Sequence, residues 1–299
     1  MRHTRLMGLA LAILGSSLWG IAGPASEVLF AQGVSVSWLI SSKMLIAGLV
    51  TLGYALIREG RAVLAPWRTR ADAGRLLIFI LFGMIAMQYV YFKAVEVANA
   101  PTATILQYLS PVVVLVILAV TTRTLPRRTD VAIIALAMFG TLMVVTRGHL
   151  TQLAITPTAL FWGLLAALAA ALYTLLPAGL LERYSPLTIS AWAQLVGGLI
   201  VSVRAPVWRG VPQLNALGWA NYTFVVLGGT IVAYMVYLAS LQYITATAAS
   251  LLDAFEPLAA TLTAVLFMSF HLSLAEVIGG AIIIATVFLM AMTSPKAPR

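Results

Sequence analysis

The sequence predicts an all-α integral membrane protein, with ten transmembrane helices arranged as two inverted five-helix repeats. Three observations predict it. Of 299 residues, 62% are hydrophobic and only 9% are charged, where a soluble domain carries about 25% charge. Apolar stretches of about 20 residues, enough to cross about 30 Å of hydrocarbon at 1.5 Å per residue, recur along the whole chain. Finally, the chain resembles itself at a shift of 146 residues.

The spans read, in order, as Leu6–Gly23, Val36–Ile57, Leu76–Val97, Ala100–Thr122, Val131–Thr146, Thr158–Leu181, Leu187–Val203, Leu217–Tyr243, Thr245–Phe270 and Leu272–Thr293. The first follows Arg2 and Arg5, as the apolar core of a signal peptide does. Trp19, Pro24 and the lack of a small-x-small site before a polar mature domain make it a retained span. The connections are too short for a soluble catalytic domain. Composition also excludes a disordered chain, and the absence of cysteine removes disulfides, thiolate metal sites and cysteine nucleophiles.

The net charge of +9 reads as topology and not as a nucleic-acid surface. With the N-terminus in the cytoplasm, Arg147, Arg204 and Arg209 fall outside and Lys43 and Lys93 within spans. The remaining basic residues, from Arg2 and Arg58 through Arg75, Arg127, Arg128 and Arg183 to Lys296 and Arg299, fall inside, as the positive-inside rule requires. Both termini are therefore expected in the cytoplasm of a multi-pass membrane protein.

At the shift of 146, Gly83 meets Gly229, Tyr91 meets Tyr237, Ala100 meets Ala246, Ala103 meets Ala249, Leu106 meets Leu252, Pro111 meets Pro257 and Asp130 meets Glu276, without a gap. The first two spans align more loosely with the sixth and seventh, Ala47-Gly48-Leu49 lying near Gly197-Gly198-Leu199. The repeats divide the chain at residues 1–150 and 151–299. Five spans is an odd number, so the halves run in opposite directions, and such carriers hold substrate between them near the midplane.

The SLWGIAGP stretch of the first span, LSPVVV and FEPLAA in the fourth and ninth, and the EVIGGAIIIATVFLM tail resemble the EamA family of the drug/metabolite transporter superfamily over essentially the whole chain. The resemblance implies a ten-span inner-membrane exporter of amino acids or other metabolites. Within the family the chain looks most like the bacterial exporters of aromatic amino acids and methionine. It departs where the family often ends its fourth and ninth spans with Gly-Glu; Arg123 and Ser269 stand there.

Ionisable groups inside a span are costly, so each is a functional hypothesis. Asp253 and Glu256 lie three apart on one helix face, as a contact for a substrate amine or as proton-coupling carboxylates. Glu256 has a structural reading too, hydrogen bonding backbone freed by Pro257. Lys43 either holds a substrate carboxylate or snorkels to the interface. Lys93 and Glu96 read as a local ion pair. Depth selects Trp19, Tyr89, Tyr108, Tyr173 and Tyr234 as lining aromatics, and Gln88, Gln107 and Tyr237 complete the substrate-binding set. Trp38, Trp67, Trp208 and Trp219 read as interfacial belts. Pro24, Pro111, Pro177 and Pro257 either hinge or shape the spans.

No Walker motif and no H-E-x-x-H occurs, and His3, His149 and His271 lie at a terminus or in loops; no cofactor, metal or catalytic residue is expected. The reading is a monomeric secondary transporter, not an enzyme, that exports amino acids of the aromatic, methionine or threonine class by alternating access. Its rivals are a carrier of other metabolites, drugs or nucleotide sugars, and an intramembrane enzyme. The partners expected are a small-molecule substrate and membrane lipid.

Overall fold

The computed structural model describes residues 2–123, 128–147, 154–240, 242–244 and 252–293. The expected start of the ninth span at Thr245, the repeat matches Ala246 and Ala249, and Arg127, His149, Lys296 and Arg299 lie outside them. Among the described residues the chain is helical, with no strand.

Helix α1 is Arg2–Ala31 and α2 is Val36–Glu59, followed by a 3₁₀ stretch, Gly60–Trp67. Helices α3 (Arg70–Val97) and α4 (Ala100–Thr122) complete the first antiparallel group with α5 (Arg128–Thr146). Then come α6 (Pro157–Leu181), α7 (Pro186–Arg204), α8 (Ala216–Ser240), α9 (Phe255–Phe267) and α10 (Leu274–Thr293). Seven of these, α1 to α4 and α6 to α8, are long and apolar enough to cross a membrane; Val131–Val144, Phe255–Phe267 and Leu274–Thr286 are shorter apolar helices.

Start signals in the sequence explain the boundaries. Ser35, Thr69, Asn99, Thr156, Ser185 and Asn215 each accept a hydrogen bond from a backbone N–H three residues on, so the first turns are satisfied. Pro101, Pro157 and Pro186 follow their caps within two residues, where a missing N–H goes unnoticed. Before α10, Ser273 and Glu276 cap each other reciprocally.

The structure lengthens α1 beyond the expected end at Gly23: the helix runs through Pro24 to Ala31. Two residues beyond Pro24, Ser26 Oγ donates to Ala22 O at 2.6 Å, a hydroxyl back-bond of the kind that bends helices. The extension carries Glu27, whose carboxylate receives Ala100 N at the start of α4.

Helix α2 packs on α7 and α5 on α10, while α1 packs on α8 and α9 and α6 on α3 and α4. Gly48 and Gly198 set the α2–α7 approach. A methyl carbon on Gly48 would lie 2.5 Å from Leu195 Cα, and one on Gly198 would lie 2.7 Å from Leu45 N. Backbone thus meets backbone, as small residues permit in membranes.

Three irregularities recur at the spacing of 146. Helices α3 and α8 widen into π-turns at Phe79–Ile85 and Phe224–Val232, the second with Thr230 Oγ1 donating back five residues to Val225 O. Helix α4 breaks at Tyr108–Leu109, and a turn at Asp253–Ala254 precedes α9. Arg123 and Ser269, ending α4 and α9, both adopt φ 53°. That left-handed conformation favours glycine, which accounts for the glycine common there in the resembled family.

One expected feature is corrected. Trp38 is not in an interfacial belt: it is buried, stacks near Tyr222 at 5.5 Å and donates Nε1–H to Val207 O. Trp67 is half-buried against Trp192, 5.5 Å away. Trp208 and Trp219 are exposed. Lys93 and Glu96 form their ion pair.

At one end of the bundle, polar contacts tie the two halves of the chain together. Asp72 accepts from Arg183 Nη1 at 2.9 Å and Tyr184 OH at 2.8 Å, and Glu59 accepts from Ser185 and Thr188 hydroxyls. Donating to Asp72 holds the Tyr184 phenol above its ordinary value. At the other end Ser41 and Ser202 hydroxyls meet at 2.6 Å.

Candidate functional site

Between the two halves of the chain lies a cavity of about 360 Å³, within the range of small-molecule sites. The first half contributes Trp19, Lys43, Gln88, Tyr91, Phe92 and Gln107; the second contributes Tyr173, Thr230, Tyr234, Tyr237, Asp253 and Glu256. Eight of the ten residues expected to bind substrate line it, together with Glu256.

The other two are placed elsewhere. Tyr89 follows Gln88 by one residue, about 100° around an α-helix, and its ring packs near Trp162 at 6.2 Å. Tyr108 sits at the break in α4 and donates its hydroxyl to the backbone oxygen of Asp253. It therefore buttresses the cavity wall from behind.

Tyr91 and Phe92 line the cavity and were not in the expected binding set. Their signal was present: they stand three and four residues beyond Gln88, on its helix face. Tyr91 OH meets Thr104 Oγ1 at 3.0 Å.

Aromatic rings form the cavity wall as a connected group. Trp19 lies 5.0 Å from both Tyr234 and Tyr237, and Tyr173 OH meets Tyr234 OH at 3.2 Å. Asp253 is held by the same group, accepting from Ser16 Oγ at 2.8 Å and Tyr237 OH at 3.0 Å.

The other two charges are not so occupied. Lys43 is buried, its Nζ 4.3 Å from the centre of the Phe92 ring, a cation–π contact and not a snorkelling pose. Among the described residues it has no carboxylate partner. Glu256 points its carboxylate to the cavity with no hydrogen-bond donor among them. A buried ionisable group without a partner is costly in its charged form, which sets these two apart from Asp253. No group of three metal-ligating side chains occurs among the described residues.

Among the described residues, an all-helical bundle of membrane-length helices with an aromatic-walled cavity lined from both halves is the architecture of a membrane transporter. Residues 6–146 and 157–292 each match the EamA-like transporter family, and the chain belongs to it. It is 31% identical over 294 residues to the "Uncharacterized inner membrane transporter YicL" of Salmonella typhimurium strain LT2, covering 98% of this chain and 97% of that protein. It also shares its fold with a solved structure described as "Crystal structure of protein", at 19% identity and a TM-score of 0.62 over 98% of this chain and 97% of the other.

Proposed function

We propose that the protein is an inner-membrane carrier that exports amino acids, with an aromatic or otherwise apolar side chain preferred, by alternating access. The observation that carries the reading is the pair of ionisable groups of opposite type, Lys43 and Glu256, without partners among the described residues in one aromatic-lined cavity. A zwitterion offers a carboxylate to the one and an ammonium to the other, while Trp19, Tyr91 and Phe92 suit its apolar part. Nucleotide sugars are disfavoured, because Lys43 is the one basic residue among the lining side chains.

The mechanism rests on ten spans forming two inverted repeats, residues 1–150 and 151–299, with both termini cytoplasmic. The double family match supports the repeat. So do the paired π-turns, the paired helix breaks, the equal φ angles of Arg123 and Ser269, and the reciprocal approach of Gly48 to Leu195 and Gly198 to Leu45. Exchanging the conformations of two such halves turns an outward opening into an inward one.

Proteoliposomes preloaded with radiolabelled phenylalanine, tyrosine, tryptophan, methionine or threonine test the cargo. Efflux of at least one, well above protein-free vesicles, is expected; efflux of none refutes the amino-acid reading and leaves the fold untouched. Proton coupling through Asp253 or Glu256 has its own test. Asp253→Asn and Glu256→Gln should flatten the pH profile of efflux, and an unchanged profile in both removes the coupling.

A further inference from the structure

A second cavity, of about 540 Å³, adjoins the first, and Tyr234 and Leu238 of α8 line both. Its opposite wall comes from the end of α2 and the start of α7, with Arg58 on one and Ser190 and Gln194 on the other. Gln194 is 1% exposed, yet neither Oε1 nor Nε2 has a hydrogen-bond partner among the described residues. Buried side-chain polar atoms are nearly always paired, and an amide presents both a donor and an acceptor. Arg58 is exposed to the same space and forms no ion pair among the described residues. Its neighbour Glu59 lines the same cavity, but its carboxylate oxygens are turned to the Ser185 and Thr188 hydroxyls and make no ion pair with Arg58.

We propose that this vestibule is a second binding site, specific for the α-carboxylate end of an amino acid, where cargo is held before it passes Tyr234 into the central cavity. The guanidinium of Arg58 matches a carboxylate with two parallel hydrogen bonds. Gln194 donates to the same carboxylate or accepts from the cargo's ammonium. Since Tyr234 and Leu238 are shared, one layer of side chain separates the two sites. The hydroxyl contact between Tyr234 and Tyr173 is the closure that the passing cargo opens. This inference rests on the amino-acid reading above.

The chain has no cysteine, so Ser190→Cys places a single reactive thiol in the vestibule, and Leu187→Cys is a second reporter on the same wall. Each is made in a Lys43→Met background, which removes the ammonium from the central cavity. Labelling by a small methanethiosulfonate is then followed with methionine or phenylalanine added. Both amino acids are expected to slow labelling. Adding Arg58→Gln or Gln194→Leu should raise the half-protecting concentration about tenfold, the loss of one charge-assisted hydrogen bond.

Labelling that ignores both amino acids at both reporters overturns the vestibule, as does protection that neither substitution weakens. Efflux from vesicles carrying the original chain reports separately on transport. Efflux without protection refutes the vestibule alone; protection without efflux supports the vestibule and refutes transport alone.

Discussion

Lys43→Met should lower amino-acid efflux by about 30- to 150-fold, the loss of one charged hydrogen bond worth about 2–3 kcal/mol. The same variant should be as stable as the original chain or more so. A lysine that served the fold would have a partner, and its removal would strand that partner as a buried charge. Lys43 has instead the face of Phe92 and the open cavity, so methionine of similar length fills its space without stranding anything. Efflux kinetics and thermal unfolding in detergent, measured on the same preparation, decide the matter. A falling melting temperature together with near-normal efflux would reverse the assignment and make Lys43 structural.

The second large effect concerns the fold. Gly48→Leu and Gly198→Leu should each destabilise the protein by about 3 kcal/mol or more, at the upper end of what overpacking a core costs. The reason is what the new side chain meets: backbone atoms of Leu195 and Leu45, which cannot swing aside as the tip of a flexible side chain can. The α2–α7 pair must part along its length. Loss of folded, monodisperse protein in detergent is the expected readout, or a melting temperature lower by on the order of 10 °C. Gly53→Leu is the matched control on α2, because nothing lies within 4 Å of its added carbon. Equal loss at Gly53 would show that leucine in this helix is harmful wherever it falls, and the close approach would then explain nothing.

Much of the fold was legible because membrane insertion leaves coarse marks in sequence. Apolar length alone located most of the described helices to within a few residues. Proline was misjudged at Pro24, where the end of α1 was placed at Gly23. Local propensity says stop, but a helix in apolar surroundings has nowhere better to put its backbone polar groups. Glu27, beyond that boundary, consequently escaped notice.

The cavity was legible through scarcity. Charged residues inside spans are so few that Lys43, Asp253 and Glu256 could be named from depth alone, and the structure brings all three to one space. Aromatic residues are too common for such an argument, since the same ring serves a cavity, a core or a lipid interface. Tyr89 and Tyr91 differ by two residues and lie on different faces, one against Trp162 and the other lining the cavity. Gln194 was passed over because glutamine in an apolar run resembles tolerated polarity. Its missing partners could be recognised only in three dimensions.

The π-turns in α3 and α8 bear on how this cavity could be retuned. Each adds a residue to one turn of a helix otherwise wound at 3.6; Gln88, Tyr91 and Phe92 on one helix and Tyr234 and Tyr237 on the other follow it in sequence, and Thr230 lies within the second. Deleting a single residue within Phe79–Ile85 would let the helix return to even winding and swing Gln88 and its companions by about 100° relative to the preceding turns. The buried Val90, Ala94 and Val95 of the same segment would turn with them, so the cavity panel and the packing behind it would change direction together. Under the proposed function, length variation at that one place changes which side chains face the cargo without altering any of them.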